Sequence, residues 1–359
     1  MSSATPVPET RRMQTENAWT TLRRHGGWEL VKESFIRMRY SDGFSHSRAL
    51  AFQITLAFIP FLVAVEGFAA VFHHSDVGRV IEQTLRAMTP GATESVVRTA
   101  SDQAAKATNT NGGVAALAFG LIASLISIAT AFGQIERGAN RIYGVEQDRS
   151  GPKKYGLAAL LGVATSVLVV GALGLLVAGS AIGSAIDRQL GWGDIGPAAW
   201  NVIRYPLGIG LAIGGFALLF RVSPRRQQPR TSWLVVGSGV SVVLWLLTTG
   251  GLALYVDQSS SFGAIYGPLT GVMALLLWSL LSSISLFLGL SFAAQLEAFR
   301  AGVIEPVAEE KAEGQVLADA EEHSEPDDPA PHALASSDNV RPLGHDEGTR
   351  EEPVSGTHR

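Results

Sequence analysis

Residues 258–296 read QSSSFGAIYGPLTGVMALLLWSLLSSISLFLGLSFAAQL and contain no Asp, Glu, Lys or Arg. A helix needs about 20 predominantly apolar residues to cross the roughly 30 Å hydrocarbon core of a bilayer, so this run is long enough to span it with polar residues to spare. Five more stretches are equally free of charge, at 49–65, 107–135, 155–186, 205–220 and 231–256. Only helices and closed barrels satisfy their backbone polar groups inside lipid. Six apolar runs of helical length therefore predict an all-α, polytopic membrane protein with six transmembrane helices.

Around these windows the spans are expected at about 47–72, 113–133, 155–186, 203–220, 232–255 and 269–298, with span 2 continuing beyond the membrane as 134–143. Pro60 lies inside span 1, where it removes one backbone hydrogen bond and is expected to kink the helix. Ahead of it, residues 1–18 are expected to be disordered and 19–46 to form an amphipathic helix in the membrane interface. Trp28, Val31, Phe35 and Met38 recur at three-and-four spacing, with Lys32, Arg37 and Arg39 off that stripe; apolar side chains would enter the acyl boundary and the bases would face anionic headgroups. The alternative is an ordinary helix docked on the protein. No short apolar core with a small-residue cleavage site occurs in the first 45 residues, so span 1 is expected to act as the insertion signal.

The mean hydropathy of +0.21 averages two unlike regions. Residues 301–359 hold fifteen acidic against four basic side chains, whereas 1–300 hold seventeen against twenty-four. The acidic, proline-containing end cannot bury enough apolar surface to order itself, so 299–359 is expected to be a disordered tail after a transmembrane domain of 47–298. Between spans 1 and 2, Val77, Val80, Ile81, Leu85 and Met88 predict one amphipathic helix, and Pro90-Gly91 separates it from another at 96–105. Bases concentrate before span 1 (Arg37, Arg39, Arg48), between spans 2 and 3 (Arg137, Arg141, Arg149, Lys153, Lys154) and between spans 4 and 5 (Arg221, Arg225, Arg226, Arg230). Positive loops stay inside. Both termini are therefore expected in the cytoplasm, with the 73–112 helical hairpin outside.

Residues able to carry chemistry are few. There is no cysteine, and the eight histidines show no ligand spacing, so neither a metal site nor a cofactor is expected. Nucleotide-binding loops and nucleophile motifs are absent from the sequence, which predicts that the protein is not an enzyme. Glu66 is the one carboxylate inside a predicted span. It falls about 24 Å along the helix from Leu50, near the outer interface, where it is either a coupling or headgroup-contacting acid or a solvated one. Gly179-xxx-Gly183 and Gly210-xxx-Gly214 allow close helix approach, read here as internal packing rather than self-association. Ser282, Ser283 and Ser285 suggest a polar strip toward the bundle interior. Glu136, Arg137, Asn140 and Arg141 follow span 2 at helical spacing and read either as a polar gate, with Glu136 pairing Asn140 or the Arg221 loop, or as a plain topology anchor.

Ala49-Leu50-Ala51-Phe52-Gln53 followed by Ile59-Pro60-Phe61 resembles the first-span signature of the YihY/BrkB family of bacterial inner-membrane proteins. Ala139-Asn140-Arg141-Ile142-Tyr143-Gly144-Val145 is similar to the family's stretch after span 2. Phe220-Arg221, Ser223-Pro224, Trp245, Tyr255, Ile265-Tyr266-Gly267 and Leu275-Leu276-Leu277-Trp278 follow in the family's order. The resemblance covers about 30–298 and is strongest to the YhjD-like, envelope-integrity branch. It implies six spans in a bacterial cytoplasmic membrane and a part in envelope integrity or lipid export. Gln53 stands where the family often has an aromatic, and Gly289-Leu290-Ser291 lacks an acid the family carries near the end of span 6. The family's older ribonuclease BN label finds no support in the chemistry of these residues: they offer no metal-ligand cluster and no basic-aromatic surface for nucleic acid.

Candidate functional positions are thus Gln53, Pro60, Glu66, Glu136, Arg137, Asn140, Arg141, Tyr143, Tyr266 and Gly267. The expected partners are membrane lipids, with a second copy of the chain and a cytoplasmic protein reached through the acidic tail as further candidates, and no nucleic acid. Two functions compete: passage of an amphiphilic lipid across the membrane, and a scaffold for envelope machinery that transports nothing.

Overall fold

The computed structural model describes residues 4–9, 18–24, 27–72, 113–145, 151–177, 179, 195–228, 231–259, 265–266, 269–303 and 305–307. Its long elements are α1 (Ala18–Arg24), α2 (Gly27–Tyr40), α3 (Gly43–Phe72), α4 (Gly113–Tyr143), α5 (Gly151–Val177), α6 (Ile195–Val222), α7 (Thr231–Gln258) and α8 (Thr270–Arg300). Among the described residues there is no sheet, only one antiparallel bridge between Ala4 and Val307. The protein is an all-α polytopic membrane protein. Among the described residues four segments are long and apolar enough to cross a membrane: Ala118–Tyr143, Ala198–Val222, Trp233–Gln258 and Thr270–Arg300. α3 and α5, of 30 and 27 residues, stand where spans 1 and 3 were expected. The 73–112 hairpin, and the tail beyond Val307, lie outside the described residues.

Packing follows chain order. Each of α3 to α8 packs on the next, and α8 returns to α3, closing the circuit; α8 also touches α1, α2 and α4. Helices in lipid gain nothing from hiding apolar faces, so they meet where small residues let backbones approach. A Cβ on Gly237 of α7 would stand 2.8 Å from the carbonyl of Gly289 on α8, and a Cβ on Gly120 of α4 would stand 2.6 Å from the Ala64 nitrogen of α3. The Gly210-xxx-Gly214 pair does not serve this purpose. Both glycines face open space, and the close approach on α6 is made by Gly208 against Leu176 of α5. The reason is helical phase: 208, 212 and 215 share the face toward α5, whereas 210 and 214 do not. Gly183 lies outside the described residues.

Hydroxyls join the helices at mid-height. Thr130 donates to Gln53 Oε1 across α4 and α3 (3.2 Å), Thr55 to Ser279 across α3 and α8 (3.3 Å), Trp245 Nε1 to Ser282 across α7 and α8 (3.0 Å), and Trp278 Nε1 to Thr249 (3.3 Å). The expected serine strip therefore divides. Ser282 and Ser285 face α7, Ser285 with its hydroxyl 3.4 Å from that of Thr248, while Ser283 donates to the Ser279 carbonyl of its own helix.

Close packing concentrates at the end of the bundle where Ala4 meets Val307. Phe132, Ile135, Ile142, Phe220, Leu234, Phe287 and Leu290 form its largest apolar cluster, with Met38 and Leu50. α2 lies against α8. Leu30, Ser34, Arg37 and Met38 are its buried face, while Trp28, Val31 and Phe35 stay exposed, Trp28 by 80 %. The predicted stripe is therefore split: three of its members remain free for an apolar environment, and Met38 packs on the protein. Arg37, expected among the headgroups, is instead fully buried, because 30, 34, 37 and 38 fall on one helical face and α8 covers it.

Candidate functional site

A polar latch occupies the closely packed end. Residues 4–9, expected to be disordered, form an extended strap held by backbone bonds from Thr5 N to Pro306 O (2.8 Å) and from Val7 N to Tyr143 O (3.1 Å). Such pairing satisfies backbone groups that composition alone leaves unassigned. The strap can pass because α4 ends in a Schellman turn: Val145 N bonds to Asn140 O and Gly144 N to Arg141 O, with Gly144 left-handed at φ 72°. A Cβ on Gly144 would stand 2.6 Å from Pro6 Cα, so glycine meets two needs there, conformation and room.

Two arginines bind the strap to the bundle. Arg37 donates from Nε to Gln295 Oε1 (2.6 Å) and from Nη1 to the carbonyls of Thr5 (2.9 Å) and Ile142 (3.1 Å). Burial pushes its pKa down to about 10, which still leaves the guanidinium charged at neutral pH. Arg226 pairs with Glu297 at 2.6 Å, both side chains almost wholly buried. It also donates to the carbonyls of Val7 (3.3 Å) and Pro8 (3.2 Å), and its guanidinium lies 4.6 Å from the Tyr143 ring centroid. Asn140 Oδ1 accepts from the Arg225 backbone N–H (2.7 Å), which ties the end of α4 to the turn after α6.

A second feature lies within the apolar height of the bundle. Val169, Ala172 and Leu176 of α5, Ile209, Ala212 and Phe216 of α6, Val242, Trp245 and Leu246 of α7, and Trp278 and Ser282 of α8 line a cavity of about 110 Å³. Its walls are apolar, and the Trp245 indole N–H is held by Ser282. Ile209 and Leu246 are partly exposed, so the cavity opens sideways, where acyl chains would lie. A closed apolar void of similar size stays dry and takes up small apolar guests.

The structure brings Glu136, Asn140 and Tyr143 into the buried end of α4, with Tyr143 under Arg226. Arg137 is exposed and Arg141 half-buried. Asn140 bonds the turn at Arg225, in the loop after Arg221 that was expected to meet Glu136. Gln53 joins α3 to α4 at mid-height and Pro60 sits further along α3, both half-buried and remote from the latch. Glu66 lies on the α3 backbone, its side chain outside the described residues. Tyr266 is half-buried in a short helical turn, and Gly267 falls outside the described residues. Gln295 and Glu297 were not legible as site residues. The polar side chains that close the latch lie one and nearly two turns beyond Ser291 along α8. Two polar residues inside the last turns of an apolar span are the signal that marks them.

Comparison with known proteins agrees with this architecture. The family model described as Virulence factor BrkB matches residues 34–314. The ribonuclease-like protein YfkH of Bacillus subtilis (strain 168) is 29 % identical over 261 residues, covering 72 % of this chain and 92 % of its own. A UPF0761 membrane protein of Alteromonas mediterranea is 29 % identical over 184 residues, 51 % of this chain and 60 % of that one. Another, of Xanthomonas campestris pv. campestris (strain B100), is 24 % identical over 296 residues, covering 80 % and 66 %. No solved structure matches. With the match running from within α2 to beyond α8, the chain belongs to the BrkB family of membrane proteins.

Proposed function

We propose that this protein carries an amphiphilic lipid between the leaflets of a bacterial cytoplasmic membrane and so supports envelope integrity. The observation that carries this reading is the apolar cavity among α5, α6, α7 and α8, which opens sideways at Ile209 and Leu246. A lipid can enter such a site from the bilayer without leaving its apolar surroundings. The latched end, rich in basic residues, would face the cytoplasm by the positive-inside rule, and the paired Ala4 and Val307 would lie on that side. Trp28, Val31 and Phe35 would then rest in the inner interface. Glu66 is the position on α3 where an ion gradient could couple to movement.

The test is translocation of a fluorescently labelled phospholipid by the purified chain in proteoliposomes, followed by quenching the outer leaflet. Protein-containing vesicles are expected to equilibrate the label several-fold faster than empty ones. Leu246→Trp fills the cavity mouth from an exposed position, so it should slow transfer without lowering stability by more than the roughly 0.5 kcal/mol typical of a surface change. No acceleration with any labelled lipid sinks the reading. The scaffold alternative is favoured by the fifteen acidic residues after 300. Removing 315–359 separates the two: a transporter keeps its rate, whereas a scaffold loses its envelope phenotype.

A further inference from the structure

Arg204 on α6 has no part in the latch and lines no wall of the cavity, yet its position relates to that cavity. α5 and α6 run antiparallel in contact at successive levels. Ala172 packs with Ala212, a Cβ on Gly208 would meet Leu176 at 2.7 Å, and a Cβ on Gly179 would meet Arg204 Cδ at 2.8 Å. Ala172, Ala212 and Leu176 all line the cavity. Arg204 therefore stands at the next level out, five residues and about 7.5 Å along the helix from Ile209, the outermost cavity residue on α6. It lies at the end of α6 away from the latch.

The side chains around it suit an anion at a membrane surface. The Arg204 guanidinium lies 4.7 Å from the Tyr205 ring centroid, and its Nη2 donates to the Tyr205 hydroxyl (2.9 Å). One turn away, the Trp200 indole N–H donates to the Gly179 carbonyl, which places a second aromatic ring at this level. Tryptophan and tyrosine collect where headgroups meet acyl chains. Arg204 Nε is buried and has no acceptor, and among the described residues no carboxylate pairs with this arginine. The guanidinium is buried at Nε and exposed at Nη2, so its outer edge, held beside apolar surface, is matched in charge and planar geometry by a phosphate.

We propose that the cavity and Arg204 are one site for an anionic glycerophospholipid, with an acyl chain between Leu176, Ile209 and Phe216 and the phosphate on Arg204. This rests on the lipid-carrying reading and names its substrate class: a phosphate-bearing lipid with net negative charge, taken up from the leaflet remote from the latch. The hydrocarbon supplies affinity through the cavity. The single arginine supplies selection of anionic over zwitterionic headgroups, since a choline or ethanolamine cation would offset the phosphate.

Equilibrium binding to the full-length chain in detergent tests it, by native mass spectrometry with phosphatidylglycerol and phosphatidylcholine of identical acyl chains. The wild type should retain phosphatidylglycerol about tenfold better, the scale of one charge-assisted contact. Arg204→Gln should erase that preference, Arg204→Lys should keep part of it, and Leu246→Trp should weaken both lipids equally. Inorganic phosphate at millimolar concentration should displace neither; if it displaces the lipid, the site is one for free phosphate and the lipid assignment fails. Preference unchanged in both Arg204 variants also overturns the proposal. Because binding is read apart from transfer, selective binding without translocation would sink the proposed function alone, and translocation without Arg204-dependent selectivity would sink this site alone.

Discussion

Arg226→Ala is expected to lower the stability of the bundle by about 3–5 kcal/mol, the usual result of removing one partner of a buried ion pair. The substitution takes from Glu297 the cation it holds at 2.6 Å and releases the carbonyls of Val7 and Pro8. It also removes the cation stacked on Tyr143. Thermal unfolding in detergent should show the loss, and limited proteolysis should show the strap at 4–9 cut far faster than in the wild type. Arg226→Met combined with Glu297→Leu should recover much of the stability, because replacing both charges by apolar groups of similar volume spares the cost of desolvating either. If the single and double variants are equally unstable, the ion pair is not what holds this end. A double variant that regains stability while its strap stays open to protease would separate the two roles of Arg226.

Gly289→Ala is the second large effect. The added methyl would overlap Ser241 Oγ and lie 2.7 Å from the Gly237 carbonyl and 2.8 Å from the Ser241 nitrogen. Two of these three atoms are backbone and cannot rotate away, so α7 and α8 must separate. Overpacking of this kind costs about 1–3 kcal/mol. The damage should spread, because the same interface carries the Trp245–Ser282 bond and with it a wall of the cavity. Gly210→Ala is the matched control: the same methyl meets open space, and relief of glycine's backbone entropy should leave stability unchanged or raise it by about 0.5–1 kcal/mol. Unfolding temperatures of the pair decide the matter. Equal effects at 289 and 210 would mean that the crossing is not where close approach is needed.

These contrasts show what was legible and what was not. The helices were readable because lipid excludes charge locally: a window without Asp, Glu, Lys or Arg is a property of neighbouring residues. The faces of those helices were much less so. α7 and α8 are apolar on every side, so no three-and-four pattern tells which residues meet protein and which meet lipid. Hence Gly210 and Gly214, a recognisable motif, face open space, while Gly237 and Gly289, four residues from Ser241 and Ala293 rather than from another glycine, make a close crossing. α2 misled for a related reason. Its apolar stripe suited an interface, and the structure leaves Trp28, Val31 and Phe35 exposed for one, yet the arginine beside them is covered by α8.

The latch lay furthest from view. Arg37, Arg226 and Glu297 belong to three different elements, and the strap that two of them hold was an unremarkable proline-containing stretch. Glu136, Asn140 and Tyr143 stood out because they follow a span at helical spacing, and they do enter the buried end, but their neighbours could be named only once α4, α6 and α8 had been brought together. By itself the sequence determined that this chain is an all-helical membrane protein and which family it resembles, since lipid acts on each segment separately. Only the tertiary structure decided which charges are buried, which glycines touch and where a cavity opens, since each depends on the phase at which distant helices meet.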